Sequence, residues 1–231
     1  MTLENTHVKT SARSAGEQSL ATRLLLAGGA IGPVSFIVTF LILGATRPHY
    51  SAWQIPVSSL SIGNAGWTQR GNFMVFGALM LGFAIGLRRV LRTGRGSTWG
   101  PILFGIWGLC LIGAGIFVTD PGLGYPPGAS TATTVHGILH SNISLVGFTS
   151  LTAACFVLAR RDAADPTQRG WAWYSVATGL LFPALFVLTA VATVQGGPAG
   201  LMQRIFSVVG LSWIVVLAIR LMSKKVPFAR A

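Results

Sequence analysis

Six apolar runs, each long enough to cross a membrane, constrain this sequence more than any other feature. A helix needs about 20 mostly apolar residues to span the hydrocarbon core of a bilayer. Polar backbone groups inside lipid must be satisfied within their own segment, which favours helices over strands. The predicted spans lie near residues 24–45, 71–90, 100–119, 134–158, 172–194 and 204–222. The sequence therefore predicts an all-α integral membrane protein built as a bundle of six transmembrane helices.

The charged residues indicate a membrane protein rather than a nucleic-acid-binding protein. They make up 10% of the chain, whereas a soluble domain usually carries about 25%. A net charge of +12 would by itself be compatible with a nucleic-acid partner. However, the basic residues lie in short clusters between the apolar runs, and no basic-aromatic recognition motif is present. We therefore expect no nucleic-acid partner, and the sequence also lacks a Walker loop, a dinucleotide-binding glycine fingerprint and a CxxC motif.

The basic clusters predict which side of the membrane each connection faces. All of the 17 Lys and Arg residues except Arg47, Arg70 and Arg204 lie near the two termini or near the second and fourth connections. Such clusters mark the cytoplasmic side of membrane proteins. We therefore predict that both termini are cytoplasmic. In this organisation a flexible tail occupies 1–23, the six-helix membrane domain 24–222 and a basic end 223–231.

The side chains capable of chemistry concentrate at the predicted outer end of the bundle. Three of the four histidines lie there, as does Asp120, one of only five acidic residues in the chain. The other polar residues predicted at this end are Arg47, Tyr50, Ser58, Arg70, Tyr125, Gln203 and Arg204. By contrast, Asp162 and Asp165 lie among basic clusters and are predicted to be solvated loop charges. The outer end is therefore the expected position of a functional site.

His136 and His140 are four residues apart, so both rings are predicted to project from one face of a helix. Zinc or another divalent metal is one ligand for this pair, with Asp120 as third protein ligand and water in the fourth position. His49 is a candidate further ligand or proton-transfer group. Two alternatives remain beside the metal site, a functional polar pocket without metal and purely structural hydrogen bonding, since HxxxH without the glutamate of HExxH is a weak motif.

Asp120 has both a functional and a structural interpretation. It opens an Asp-Pro-Gly sequence, which favours a turn. A carboxylate near the membrane boundary is costly unless it is paired or functional, and Arg204 is its predicted counter-ion, with Arg70 second. Ser58 is also a candidate nucleophile served by a neighbouring histidine, although no G-x-S-x-G sequence surrounds it.

Four segments resemble the prokaryotic membrane-protein family called domain of unknown function 998. They are GGAIGPVSFIVTFLILGATRPHYS, GIFVTDPG, VHGILHSNIS and GLMQRIF. The resemblance covers roughly residues 25–222. It implies a six- or seven-helix bundle in the plasma membrane of a prokaryote, and it implies that Asp120, His136, His140, Gln203 and Arg204 belong to one site.

Three functions are compatible with these features. The first is a membrane-embedded enzyme acting on a lipid or isoprenoid-like substrate, by metal-assisted hydrolysis or by acid/base chemistry. Its catalytic candidates are Asp120, His136, His140 and His49, and its substrate-binding candidates are Arg204, Gln203, Arg70, Tyr125 and Ser58. The second is a non-catalytic transporter or sensor of a lipophilic or anionic small molecule, with Pro183 as a hinge. The third is a structural membrane subunit. In the first two functions the expected partner is a membrane lipid or another lipophilic small molecule.

Overall fold

The computed structural model describes residues 18–223 and is built on six long helices. These are α1 (Leu20–Thr46), α2 (Trp67–Val90), α3 (Trp99–Ile116), α4 (Val135–Asp162), α5 (Arg169–Val194) and α6 (Ala199–Ser223). All six are long and apolar enough to cross a membrane, so the predicted six-span, all-helical membrane fold is confirmed. Short 3-10 helices occupy Val57–Ser61, Asn64–Gly66 and Pro166–Gln168.

The two predicted terminal segments fall largely outside the described residues. Residues 1–17 and 224–231 are not described. Of the tail predicted at 1–23, residues 20–23 belong to α1, because the Ser19 hydroxyl accepts the Thr22 amide N–H and caps a helix start earlier than the apolar run suggests. Ser223, the first residue of the predicted basic end, is the last residue of α6. The cytoplasmic position of both ends stays a prediction.

The helices form a closed ring. Each helix packs mainly against its neighbours along the chain, and α6 packs back against α1. Large side chains on the inner faces fill the ring, and among those buried most deeply are Phe40, Phe76, Phe83, Phe104 and Trp213. Many large apolar side chains face outward instead, as expected for helices whose outer faces contact lipid.

Glycine permits a close approach of the α2 and α3 backbones. A Cβ atom added to Gly77 would lie 2.5 Å from the Gly108 carbonyl oxygen, and one added to Gly108 would lie 2.9 Å from the Gly77 carbonyl oxygen. Only glycine allows two backbones to pass so closely. Other helix glycines differ in their surroundings: Gly86 lies close to α1, at Leu25 and Leu26, whereas Gly105 has open space beside it.

The first connection, residues 47–66, folds over one end of the ring instead of extending into solvent. Ile55, Val57 and Leu60 are buried. The carbonyl oxygens of Gln54 and Trp53 accept the amide N–H groups of Gly200 and Leu201, at 3.2 and 3.0 Å. These bonds satisfy two donors that the start of a helix leaves open, so α6 begins at Ala199, several residues before the predicted position. We call the end of the ring that carries residues 47–66, 117–134 and 195–198 the long-loop end, and the opposite end of the ring the short-loop end.

Candidate functional site

Asp120 organises the start of α4. Its carboxylate accepts hydrogen bonds from the Thr134 amide N–H at 3.0 Å and from the Thr134 hydroxyl at 2.6 Å. Thr134 in turn caps α4 by accepting the Gly137 amide N–H at 3.1 Å. A side chain at position 137 would overlap the carboxylate, so glycine is required there. Negative charge beside a helix N-terminus is favourable, and Asp120 is therefore held in a capping network.

The two histidines of the HxxxH pair lie in different environments. The His140 ring is buried, and its Nδ1 lies 2.7 Å from the Phe117 carbonyl oxygen. Because a carbonyl only accepts, Nδ1 carries the proton and donates. His140 also packs edge-on against Phe73, with ring centroids 6.2 Å apart. The His136 ring is exposed and packs against Phe117. Both rings thus lie beside Phe117 at the end of α3, the His140 ring buried and the His136 ring at the surface.

These positions do not assemble the three-ligand metal centre considered from the sequence. Within residues 18–223, no three His, Cys, Asp or Glu side chains lie close enough together to hold a metal ion. The physical reason lies in the local bonding, since Asp120 faces Thr134 while His140 Nδ1 faces the Phe117 carbonyl. His49 is exposed on the first connection, in a left-handed backbone conformation with φ of 59°.

Arg204 joins α6 to the first connection rather than pairing with Asp120. Its guanidinium donates to the Ala52 and Gly200 carbonyl oxygens at 2.8 and 2.9 Å and to the Tyr50 hydroxyl at 2.9 Å. The predicted Asp120–Arg204 ion pair is therefore not formed. Arg70, the second predicted counter-ion, donates through Nε to the Gly115 carbonyl oxygen at 3.1 Å.

Tyr50 and Tyr125 connect the two longest loops of the long-loop end. The Tyr50 hydroxyl donates toward the Ile55 and Pro56 carbonyl oxygens, and its ring packs edge-on against Tyr125 at 5.4 Å. Both rings are buried. Burial raises the pKa of the Tyr50 phenol above its usual value of 10.0, and the hydrogen bond from Arg204 opposes that rise. Tyr50 is therefore a neutral donor at physiological pH.

Gln203 and Ser58 also lie at this end. The Gln203 Oε1 atom accepts the Val57 amide N–H and so ties α6 to the 3-10 helix of the first connection. The Ser58 carbonyl accepts the Ser61 hydroxyl at 2.6 Å, which is a local turn contact. Tyr125, Gln203 and Arg204 are thus gathered around residues 47–66, while Asp120, His136 and His140 are gathered around the α3–α4 connection.

A cavity lies inside the ring, and sequence reasoning did not identify it. Its volume is about 60 Å³. Each helix contributes an aromatic side chain to its wall, in chain order Phe36, Phe76, Trp107, Phe148, Phe182 and Phe206. Polar atoms enter through Ser144, Gln203 and Ser207, and none of the described residues that line it is charged. In retrospect, one aromatic residue in each of six apolar runs was the available signal, but a run alone does not show which residues face inward.

A second feature that the sequence did not predict is an ion pair at the short-loop end of the ring. Arg220 of α6 and Asp162 at the end of α4 form two parallel hydrogen bonds of 2.6 and 2.7 Å. Arg220 also donates to Gln168 at 2.6 Å and stacks over Trp171. The prediction that Asp162 is a solvated loop charge is wrong, because its side chain is only 13% exposed and is paired. The pair fastens α4, α5 and α6 together.

A match to a family model over most of the chain shows which family this protein belongs to. Residues 30–220, from within α1 to within α6, match the family model described as a protein of unknown function, DUF998. This chain belongs to the DUF998 family. The match confirms the resemblance found in the sequence, and it covers the cavity and both loop ends of this DUF998 protein. No curated protein and no solved structure matches the chain.

Proposed function

We propose that this protein binds the apolar chain of a lipid-like molecule in its central cavity and acts as a non-catalytic carrier or sensor of that molecule. The observation that carries the proposal is the wall of the cavity, to which all six helices contribute an aromatic ring and no described residue contributes a charge. Ligand sites are typically concave, mostly apolar and supplied with a few placed polar groups.

The size of the cavity favours a slender group over a ring. A cavity needs roughly 10–15 Å³ on this measure to hold one water, and an apolar cavity of about 150 Å³ takes up a benzene molecule. A volume of about 60 Å³ therefore suits part of an unbranched hydrocarbon chain. The rest of the molecule would extend into the bilayer between the helices.

The bonding at the long-loop end favours a binding role over hydrolysis. A hydrolytic site needs a nucleophile or bound water beside a free base. Asp120 is engaged with Thr134, and Arg204 is engaged with two carbonyl oxygens and Tyr50. Both residues thus support the local structure instead of presenting free groups.

Acid/base catalysis by His140 is the second candidate function. One observation favours it: Phe73 packs against His140 and also lines the cavity. A ligand that displaced the Phe73 ring would approach the buried imidazole. Under this alternative, a bound lipid would be recovered chemically changed.

Fluorescence quenching tests the proposal. The protein is placed in nanodiscs of ordinary lipid, and an alkane chain carrying bromine at its end is added as quencher. Trp107 lines the cavity, whereas Trp213 is equally buried but does not line it. We expect a saturable quenched component that disappears in Trp107→Phe and persists in Trp213→Phe. Equal quenching in the two variants would contradict cavity binding, and recovery of a modified ester probe would replace binding by catalysis.

A further inference from the structure

We infer that the cavity selects a neutral chain bearing one hydrogen-bond acceptor oxygen, such as a ketone, ester or ether oxygen, which Gln203 and Ser144 recognise as donors. The inference rests on the proposed function, since it concerns the ligand of the same cavity. It goes further by naming the chemical group that the ligand must carry and the charge that it must lack.

The bonding of Gln203 leaves its amide nitrogen free. Oε1 accepts the Val57 amide N–H, which fixes the orientation of the amide group. The Nε2 atom then retains two N–H donors, and no described residue accepts a hydrogen bond from it. Gln203 lines the cavity, so these donors are available to a group that enters there.

Ser144 supplies a second free donor, from α4. A serine within a helix usually donates to a carbonyl oxygen three or four residues earlier. Ser150 on the same helix does so, bonding to the Gly147 carbonyl at 3.0 Å, and Ser207 bonds to the Gln203 carbonyl at 2.7 Å. The Ser144 hydroxyl has no such bond among the described residues, although it lines the cavity.

Unpaired donors in an apolar cavity make acceptor-bearing ligands favourable. A donor that an entering chain separates from water without a new partner costs free energy, and an entering oxygen that accepts its hydrogen bond removes that cost. A pure alkane would leave both donors unpaired. The two side chains therefore discriminate between an oxygen-bearing chain and a plain hydrocarbon.

The same lining disfavours an anion. A buried carboxylate or phosphate needs a cation or several donors close by, and the described lining residues include no Lys or Arg. Arg204 follows Gln203 directly, but its guanidinium is held by Ala52, Gly200 and Tyr50. Recognition is thus directed at a neutral oxygen within the chain rather than at a charged headgroup.

Competition among three chains of equal length tests this inference. Tridecane, 2-tridecanone and tridecanoate are each titrated against the brominated chain in nanodiscs containing the full-length protein. One hydrogen bond contributes about 0.5–1.5 kcal/mol, so we expect the ketone to compete about threefold to tenfold better than the alkane and the carboxylate to compete worst. Ser144→Ala and Gln203→Met should each reduce the ratio by which the ketone outcompetes tridecane. Ser150→Ala is the matched control and should preserve the wild-type ratio.

The outcomes separate this inference from the proposed function. Equal competition by ketone and alkane, or an unchanged ratio in both Ser144→Ala and Gln203→Met, would overturn acceptor recognition while leaving chain binding in place. Tridecanoate competing better than the ketone would overturn the preference for a neutral group. Absence of any quenching at Trp107 would instead remove the proposed function itself. Ser144→Ala loses no hydrogen bond seen in the structure, so it keeps the test valid even if Gln203→Met loosens the first connection.

Discussion

At the residue scale, each acidic side chain in the described part of the chain holds local structure. Asp120 binds Thr134 at the start of α4, Asp162 pairs with Arg220, and Asp165 accepts the Thr167 amide N–H at 2.9 Å. The turn interpretation of Asp120 could be drawn from its Asp-Pro-Gly sequence. Its partner could not, because the choice between Thr134 and Arg204 depends on side-chain directions that only the folded loop defines.

Replacing Asp120 should therefore weaken the protein more than replacing a neighbouring histidine. Asp120→Ala removes two hydrogen bonds and a favourable charge at a helix N-terminus, and we expect a loss of about 1–2 kcal/mol in the free energy of unfolding. The measurement is equilibrium unfolding in a mild detergent. His136→Ala, which alters an exposed ring, serves as the control and should change stability by less than about 0.5 kcal/mol. Equal stability in the two variants would argue against the capping role.

At the element scale, the helices follow from the apolar runs, whereas the first connection does not. Runs of about 20 apolar residues leave few alternatives in a membrane, so the existence and order of the six helices were predictable. Residues 47–66 are folded by contacts with α6, through Tyr50, Gln203 and Arg204. Those contacts join residues about 150 positions apart, and no local pattern encodes them.

The α2–α3 crossing gives a prediction with a matched control on the facing helix. Gly77→Ala places a methyl group against the backbone of Gly108, so the two helices must separate, and we expect a loss of about 1–3 kcal/mol in stability. Gly105→Ala adds the same methyl group where space is open, and its better helix propensity should leave stability unchanged or up to about 1 kcal/mol higher. Thermal unfolding midpoints in one detergent compare the two variants. A Gly77→Ala protein as stable as Gly105→Ala would contradict close backbone packing at this crossing.

At the scale of the whole molecule, the ring determines what could and could not be anticipated about the site. The sequence predicted a set of polar residues at one end, and two of them, Tyr125 and Arg204, each contact Tyr50 in the structure. The cavity arises because six helices close on themselves, and closure depends on α6 meeting α1. Such a long-range contact is invisible to a count of apolar residues.

The orientation of the ring remains a prediction that labelling can check. In a Cys110→Ala/Cys155→Ala background, Ser130→Cys is placed in the α3–α4 connection and Ser97→Cys in the α2–α3 connection. If the basic clusters face the cytoplasm, a membrane-impermeant maleimide applied to intact cells should label Ser130→Cys only. Ser97→Cys should react after permeabilisation. The reverse pattern would place the long-loop end in the cytoplasm and contradict the predicted topology.

Closure through α6 also has a consequence for biogenesis. Helices leave the ribosome in chain order, so the five helices that carry the other walls of the cavity are made before α6. Until α6 packs in place, the side of the cavity that α6 forms is open to the surrounding lipid. Packing of α6 against α1 then closes the ring, and the Gly200 and Leu201 amide N–H groups donate to carbonyl oxygens of the first connection. If the cavity binds a lipid-like molecule as proposed, a newly made protein can acquire its first ligand during assembly, without any helix having to move aside.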